Sequence, residues 1–278
     1  MSVHNVALSW QQAGLLTLGV LIVAVALQVG PVRLRRLAPI AREGAMIAGL
    51  YAVWQLAGEI SVLSTDDAFK RADWIERVEK DLWLPSEASI QRHFIHDTWL
   101  TKAADFYYAT MHFTGLFVFL LWLFLRHRER YRPIRRVLAL TTLACLLIQL
   151  IPVAPPRLLP GYVDTARLHG MSVYGLGFDA DQLSAMPSVH VAWAVLIAIA
   201  VAGVAHGPWR WIGAAHAAIT LFVVVVTANH FWLDGIVAVA VLGVCALLER
   251  GAVRLIRRLR HESATPELRD GEKASILA

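Results

Sequence analysis

Cysteine and charge are what this chain has least of. Two of its 278 residues are cysteine, Cys145 and Cys245, and both stand inside apolar runs. So distant a pair makes no metal-ligand spacing and no disulfide framework, and it leaves the redox compartment unmarked. Charged residues make up 17% of the chain and hydrophobic ones 57%. A soluble domain carries about 25% charged and about 45–50% apolar residues. With a mean hydropathy of +0.54, these shortages exclude a soluble globular enzyme, a disordered tail and a disulfide scaffold. The sequence also shows no internal repeat and no low-complexity tract. What is present is the composition of an integral membrane protein.

Crossing the hydrocarbon core takes about 20 mostly apolar residues. Seven stretches are of that kind, near 12–30, 43–63, 103–125, 134–153, 189–206, 209–228 and 232–249. Gly207-Pro208 and Asn229-His230 separate the last three, and Pro187 precedes the fifth, where a proline costs no helical hydrogen bond. The formal net charge is +5, and its distribution says more than its sum. One set of connections, 31–42, 126–136, Arg210 and the segment after 249, together with Glu43 and Glu249 at the adjoining span ends, holds 18 of the 26 Lys+Arg with seven acids, a net +11. The other set holds 8 basic and 14 acidic residues, a net −6. By the positive-inside rule the basic side is cytoplasmic. The expectation is seven spans with the N-terminus outside and the C-terminus in the cytoplasm. The basic excess then reports topology, and no nucleic-acid partner is expected. The first span has no Lys or Arg before it and its positive charges follow it, so it reads as a retained anchor rather than a signal peptide.

Two long connections fall on the acidic side. Residues 68–84 alternate apolar and charged positions with a helical period, which predicts an interfacial helix with Trp74, Ile75, Val78, Leu82 and Trp83 on one face. Residues 154–188 are rich in Pro and Gly. The expected division is an anchor span and basic loop over 1–42, a catalytic membrane domain over 43–250, and a basic, disordered cytoplasmic tail over 251–278.

Three places on the acidic side hold polar residues that a structural span does not need. They are Pro155-Pro156-Arg157, Met186-Pro187-Ser188-Val189-His190, and Asn229-His230-Phe231-Trp232-Leu233-Asp234. If the topology holds, all three lie at one membrane depth, where ionisable groups are functional-site candidates. His230 and Asp234 are four residues apart, so on a helix they face the same way. The carboxylate accepts from one imidazole nitrogen and leaves the other as a base or nucleophile in a fixed tautomer. His190, from another helix start, offers a general acid. Arg157 is a forked cation suited to phosphate oxygens, and the helix start at Ser188 adds backbone N–H groups for an anion. Together these make a set for phosphoryl transfer, where positioning and charge stabilisation dominate.

The P-S-V-H at 187–190 and the H-x-x-x-D at 230–234 resemble the second and third motifs of the type 2 phosphatidic acid phosphatase (PAP2) superfamily. The A-P-P-R, M-P-S-V-H-V-A-W and N-H-F-W-L-D forms are most similar to its inositol phosphotransferase, inositol phosphorylceramide synthase-like branch and to bacterial relatives of that branch. The likeness covers residues 68–250. It implies an all-α polytopic bundle, a PAP2-type six-helix core plus one N-terminal span, in a bacterial plasma membrane. It implies a lipid phosphate substrate, a polyol or water acceptor, and no metal or other cofactor. His230 would take the phosphoryl group as a phosphohistidine, Asp234 would orient it and His190 would protonate the leaving oxygen. Arg157 and Ser188 would bind phosphate oxygens. His112, with Tyr108 above it, would line the substrate cavity, and Asp164 would order the outer loop or contact a polar acceptor. Where the family's other phosphate-binding cations stand, this chain has Leu150 and Val224. His216 reads as an interhelical packing residue, and Trp193 and Trp232 as interfacial belt residues. Two rival readings stay open. One is a transporter or scaffold on the same fold. The other is a metal or haem protein, with zinc on His190, His230 and Asp234 or haem on His112 and His216.

Overall fold

The computed structural model describes the backbone of residues 8–62, 67–170 and 182–276, and the side chains of 8–57, 67–170 and 182–259. Among the described residues the chain is all-helical with no strand. Its helices are α1 (Trp10–Val29), α2 (Val32–Arg35), α3 (Ala38–Val62), α4 (Ala68–Asp81), α5 (Glu87–Phe94), α6 (Thr98–Arg126), α7 (Arg128–Ile148), α8 (Thr165–Leu168), α9 (Val189–Val204), α10 (Arg210–Val226) and α11 (Trp232–Ile276). Polar residues set the helix starts. Ser9 accepts from the Gln12 N–H to start α1, and Asp97 accepts from the Trp99 and Leu100 N–H groups to start α6. Each supplies an oxygen to amides that have no partner in the first turn.

Four helical stretches, Trp10–Val29, Thr98–Arg126, Gly207–Val226 and Trp232–Leu259, are long and apolar enough to cross a membrane, and Val189–Val204 is a shorter apolar helix. The protein is therefore an integral membrane protein. Helix α7 is less apolar because Arg128, Arg130, Arg132, Arg135 and Arg136 crowd its first half. Leu15, Phe117, Leu247 and many other large apolar side chains point outward. In water this would be one continuous adhesive surface, whereas lipid tails cover it at no cost.

Helix α6 packs on α7, α9 and α10, α11 packs on α7 and α9, and α1 lies along α3. The shared core is Leu116, Phe119 and Leu123 of α6, Val137 and Leu138 of α7, Leu196, Ile197 and Ala200 of α9, and Leu242 of α11. Gly213 lets α10 close on α9, because a Cβ there would stand 2.8 Å from the Ala198 Cα. At the basic end Arg135 pairs with Glu43, and Arg136 with Glu249, which ties α7 to α3 and α11.

Two expectations need correction. Helix α4 buries Ala68, Ala72, Ile75 and Glu79, while Trp74, Leu82 and Trp83 are exposed. Small alanines allow close approach to the body of the protein, and the tryptophans are left on the outer side. Residues 251–276, expected to be a disordered tail, continue α11. Leu, Ala and Arg, good helix formers, dominate the stretch just after Glu249. In the 154–188 connection, a 3₁₀ turn at Pro156–Leu158 and α8 are formed, and residues 171–181 lie outside the described ones.

Candidate active site

Backbone hydrogen bonds stitch the three polar segments together. The Val153 and Ala185 N–H groups donate to the Leu183 and Val153 carbonyls in an isolated parallel bridge. The Arg157 N–H donates to the Ala228 carbonyl at 2.8 Å, and the Ser188 N–H to the Asp234 carbonyl at 3.1 Å. The Gln149 side chain, from the end of α7, donates to the Pro187 carbonyl at 2.9 Å. Ala154, Leu159, Ala185 and Phe231 pack against Ala68, Ala72 and Ile75 of α4 behind these bonds. The turn between α10 and α11 brings Ala228 to a left-handed φ of 53°, an uncommon conformation for a residue with a side chain. The Val224 carbonyl accepts from both the Asn229 and His230 N–H groups and closes that turn.

His230 sits at this turn, buried. Its Nδ1 lies 2.8 Å from the Ala185 carbonyl oxygen and 3.3 Å from Asp234 Oδ2. Two acceptors face Nδ1, so Nδ1 carries the hydrogen and Nε2 keeps its lone pair. Nε2 is buried and has no hydrogen-bond partner. Asp234 is fully buried and its Oδ2 also accepts from the Phe231 N–H at 2.9 Å, which holds the carboxylate in place.

His190 stands on the other side, its ring centroid 5.5 Å from that of His230. Tyr108 stacks on His190 at 4.5 Å, and His112 lies 4.0 Å from it. Trp193 stacks flat on His112 at 4.3 Å and donates its indole N–H to Thr142 at 2.9 Å. Tyr108, His112, His190 and Trp193 line a narrow cavity that runs to Tyr107, His216 and Thr220. Its free space of ≈ 10 Å³ matches about one water. Val224 also lines it. Trp193 is thus part of the site rather than a belt residue. The Tyr107 hydroxyl lies 2.8 Å from His216 Nδ1 and 3.1 Å from the Thr220 hydroxyl.

Arg157 is buried and donates from Nη1 to Asn229 Oδ1 at 2.8 Å. Its Nε lies 3.6 Å from Asp164 Oδ2. Asp164 is not among the residues that line this cavity. It caps α8 by accepting from the Arg167 N–H and faces Arg157 instead. Asp is a preferred helix cap, and the guanidinium supplies a counter-charge. Ser188 is fully buried, and its hydroxyl accepts weakly from the Val191 N–H at 3.4 Å as the cap of α9.

Several site residues were not singled out in the sequence. Asn229 holds Arg157, although its place beside His230 was a signal. A second His–Asp contact joins His169 Nδ1 to Asp105 Oδ2 at 3.0 Å, and the Thr165 hydroxyl donates to Asp105 Oδ1 at 2.7 Å. These bonds tie the 164–170 segment to α6. Glu79 and Glu87 reach the first turn of α11. Among the described residues no three His, Cys, Asp or Glu side chains converge as a metal site.

No curated protein and no solved structure matches this chain. A family model does, over residues 73–248, a stretch that contains Arg157, His190, His230 and Asp234 and leaves out α1 and α3. The members of that family are generally phosphatases, and the match covers well over half of the sequence: the chain belongs to the PAP2 superfamily.

Proposed function

We propose that the protein is a membrane-embedded, metal-independent phosphatase or phosphotransferase that acts on a lipid phosphate. The observation that carries this reading is the buried, unpartnered Nε2 of His230, whose Nδ1 is held by Ala185 and Asp234 and whose ring centroid lies 5.5 Å from that of His190. Nε2 attacks the phosphorus while the bond to the leaving oxygen breaks, and a phosphohistidine forms. His190 gives a proton to the leaving oxygen. Water or a polyol hydroxyl then loses its proton to His190 and attacks the phosphorus. Inorganic phosphate, or the phosphomonoester of the polyol, leaves, and His230 is restored. Arg157, with the first turn of α9 at Ser188, balances the charge on the phosphoryl oxygens. With Val224 and Leu150 in place of cations, Arg157 carries most of that duty.

The forms of the three motifs favour the inositol phosphotransferase-like branch, with a polyol as acceptor. The charge asymmetry favours seven spans, an outside N-terminus, a cytoplasmic C-terminus and a site open to the outer leaflet. The lipid tail then lies between the spans and the phosphate meets the site at the interface. The test is purified protein with a panel of lipid phosphates, with and without polyol acceptors, read by mass spectrometry. His230→Ala and His190→Ala are expected to abolish turnover at normal expression. Unchanged turnover in both overturns the mechanism.

A further inference from the structure

Glu79 and Glu87 have no part in that chemistry, yet they are 3% and 2% exposed. Glu79 lies in the last turn of α4 and Glu87 opens α5. The link between them doubles back, with Trp83 at a φ of 59° and the Leu84 N–H donating to the Glu79 carbonyl at 3.0 Å. Both carboxyl groups meet the first turn of α11. Glu79 Oε1 accepts from the Leu233 N–H at 2.7 Å, and Glu87 Oε1 from the Trp232 N–H at 3.2 Å. With Asp234 on the Phe231 N–H, three successive amides after His230 are each received by a different acid.

Three carboxylates this close and this buried repel one another. Glu79 Oε2 is buried with no donor, and Glu87, which accepts from the neighbouring Trp232 N–H, is the carboxyl group that interacts with Glu79. One proton between the two removes a charge and supplies the missing donor. Burial and the neighbouring Glu87 push Glu79 from its ordinary 4.5 up to about 9, Asp234 adds to the rise, and the Leu233 N–H opposes it. The titratable groups facing the pair are Asp234 on α11, Glu76 on α4 itself and Tyr162 from the 154–170 segment. The Tyr162 hydroxyl donates to Glu76 at 3.2 Å, and burial with the surrounding acids pushes it up, so it stays neutral.

We propose that Glu79 and Glu87 form a proton-sharing carboxyl pair that fixes the first turn of α11 and so positions His230 and Asp234 for phosphoryl transfer. Both are positioning residues, and their catalytic consequence rests on the function proposed above. Loss of the shared proton sets two charges against each other beneath the catalytic turn. Turnover therefore falls on the alkaline side, near 9. Stability follows the same group: its contribution is complete below 4.5 and is lost as pH rises through about 9.

The experiment compares wild type, Glu79→Gln and Glu79→Ala, purified in detergent, by lipid phosphate turnover and thermal melting from pH 5 to about 10. The glutamine oxygen still accepts from Leu233 and its NH₂ donates to Glu87 without a titrating proton. Glu79→Gln is expected to restore kcat to within about threefold of wild type at neutral pH, while Glu79→Ala lowers kcat by ~10-fold or more with little change in KM. Glu79→Gln is also expected to flatten both the alkaline fall and the melting slope. Wild-type kcat in the alanine variant overturns the positioning role. A glutamine variant that keeps the alkaline fall and the slope overturns the shared proton, and it decides alone if the alanine variant does not fold. Absence of turnover in the wild type overturns the functional reading and with it the positioning role, whereas the melting curves decide the shared proton independently.

Discussion

His230 Nδ1 lies closer to the Ala185 carbonyl, at 2.8 Å, than to Asp234, at 3.3 Å. The imidazole is thus fixed by the backbone that leads into His190 as well as by its own helix. That contact, with the Ser188 N–H bond to the Asp234 carbonyl, couples the two candidate histidines. Movement of the Ala185–Ser188 segment changes the aim of His230 and the place of His190 together.

Asp234→Asn follows from this arrangement. The backbone acceptor keeps the Nδ1 hydrogen in place when the carboxylate is lost, so the tautomer survives. What is lost is the negative charge that steadies the imidazole as it gains positive character. Turnover is expected to fall by ~10- to 1000-fold, less than the ~10⁴ seen where a carboxylate alone sets the tautomer. Single-turnover kinetics check it, and an asparagine variant with wild-type kcat removes Asp234 from the mechanism.

Arg157→Lys separates charge from geometry. The guanidinium donates from Nη1 to Asn229 and presents Nε toward Asp164, so its plane is fixed from two sides. A lysine keeps the charge and loses the fork. KM for the lipid phosphate is expected to rise ~10-fold or more, with a smaller effect on kcat. Asn229→Ala, which removes the acceptor and leaves the arginine, is expected to shift KM in the same direction and by less. An unchanged KM in both variants dismisses Arg157 as a phosphate ligand.

The parts legible in the sequence were those with a local period. His230 and Asp234 share a face because four residues make about one helical turn, and apolar runs mark the spans by length alone. The Arg157–Asn229 bond was not legible, since it depends on the turn at Ala228, a left-handed residue with no glycine to signal it. Glu79 and Glu87 escaped for another reason. A charged position on an amphipathic helix ordinarily points to water, and only the tertiary approach of α11 gives these acids backbone donors. Trp193 read as a membrane-belt residue because its composition signal is the same whether the indole meets a headgroup or a histidine ring.

His112→Phe tests the stacked rings. The phenyl ring retains the face-to-face contact with Trp193 and removes both nitrogens. The melting temperature is expected to stay within a few degrees of wild type. If His112 lines the path of the polar substrate or acceptor, turnover falls by ~10-fold. His112→Ala loses the stacking as well and is expected to lower the melting temperature. A phenylalanine variant with full activity reduces His112 to packing.

The two native cysteines make the topology testable without first removing them. Cys145 and Cys245 are both buried, so neither meets a membrane-impermeant thiol reagent. His96, ahead of α6, and Arg130, in the first turn of α7, are exposed at opposite ends of the bundle. Charge asymmetry puts His96 outside and Arg130 in the cytoplasm. In intact cells His96→Cys is expected to label at once, and Arg130→Cys only after permeabilisation. The reverse pattern inverts the orientation, turns the site of Arg157, His190 and His230 to the cytoplasmic leaflet, and changes which lipid phosphates can reach it.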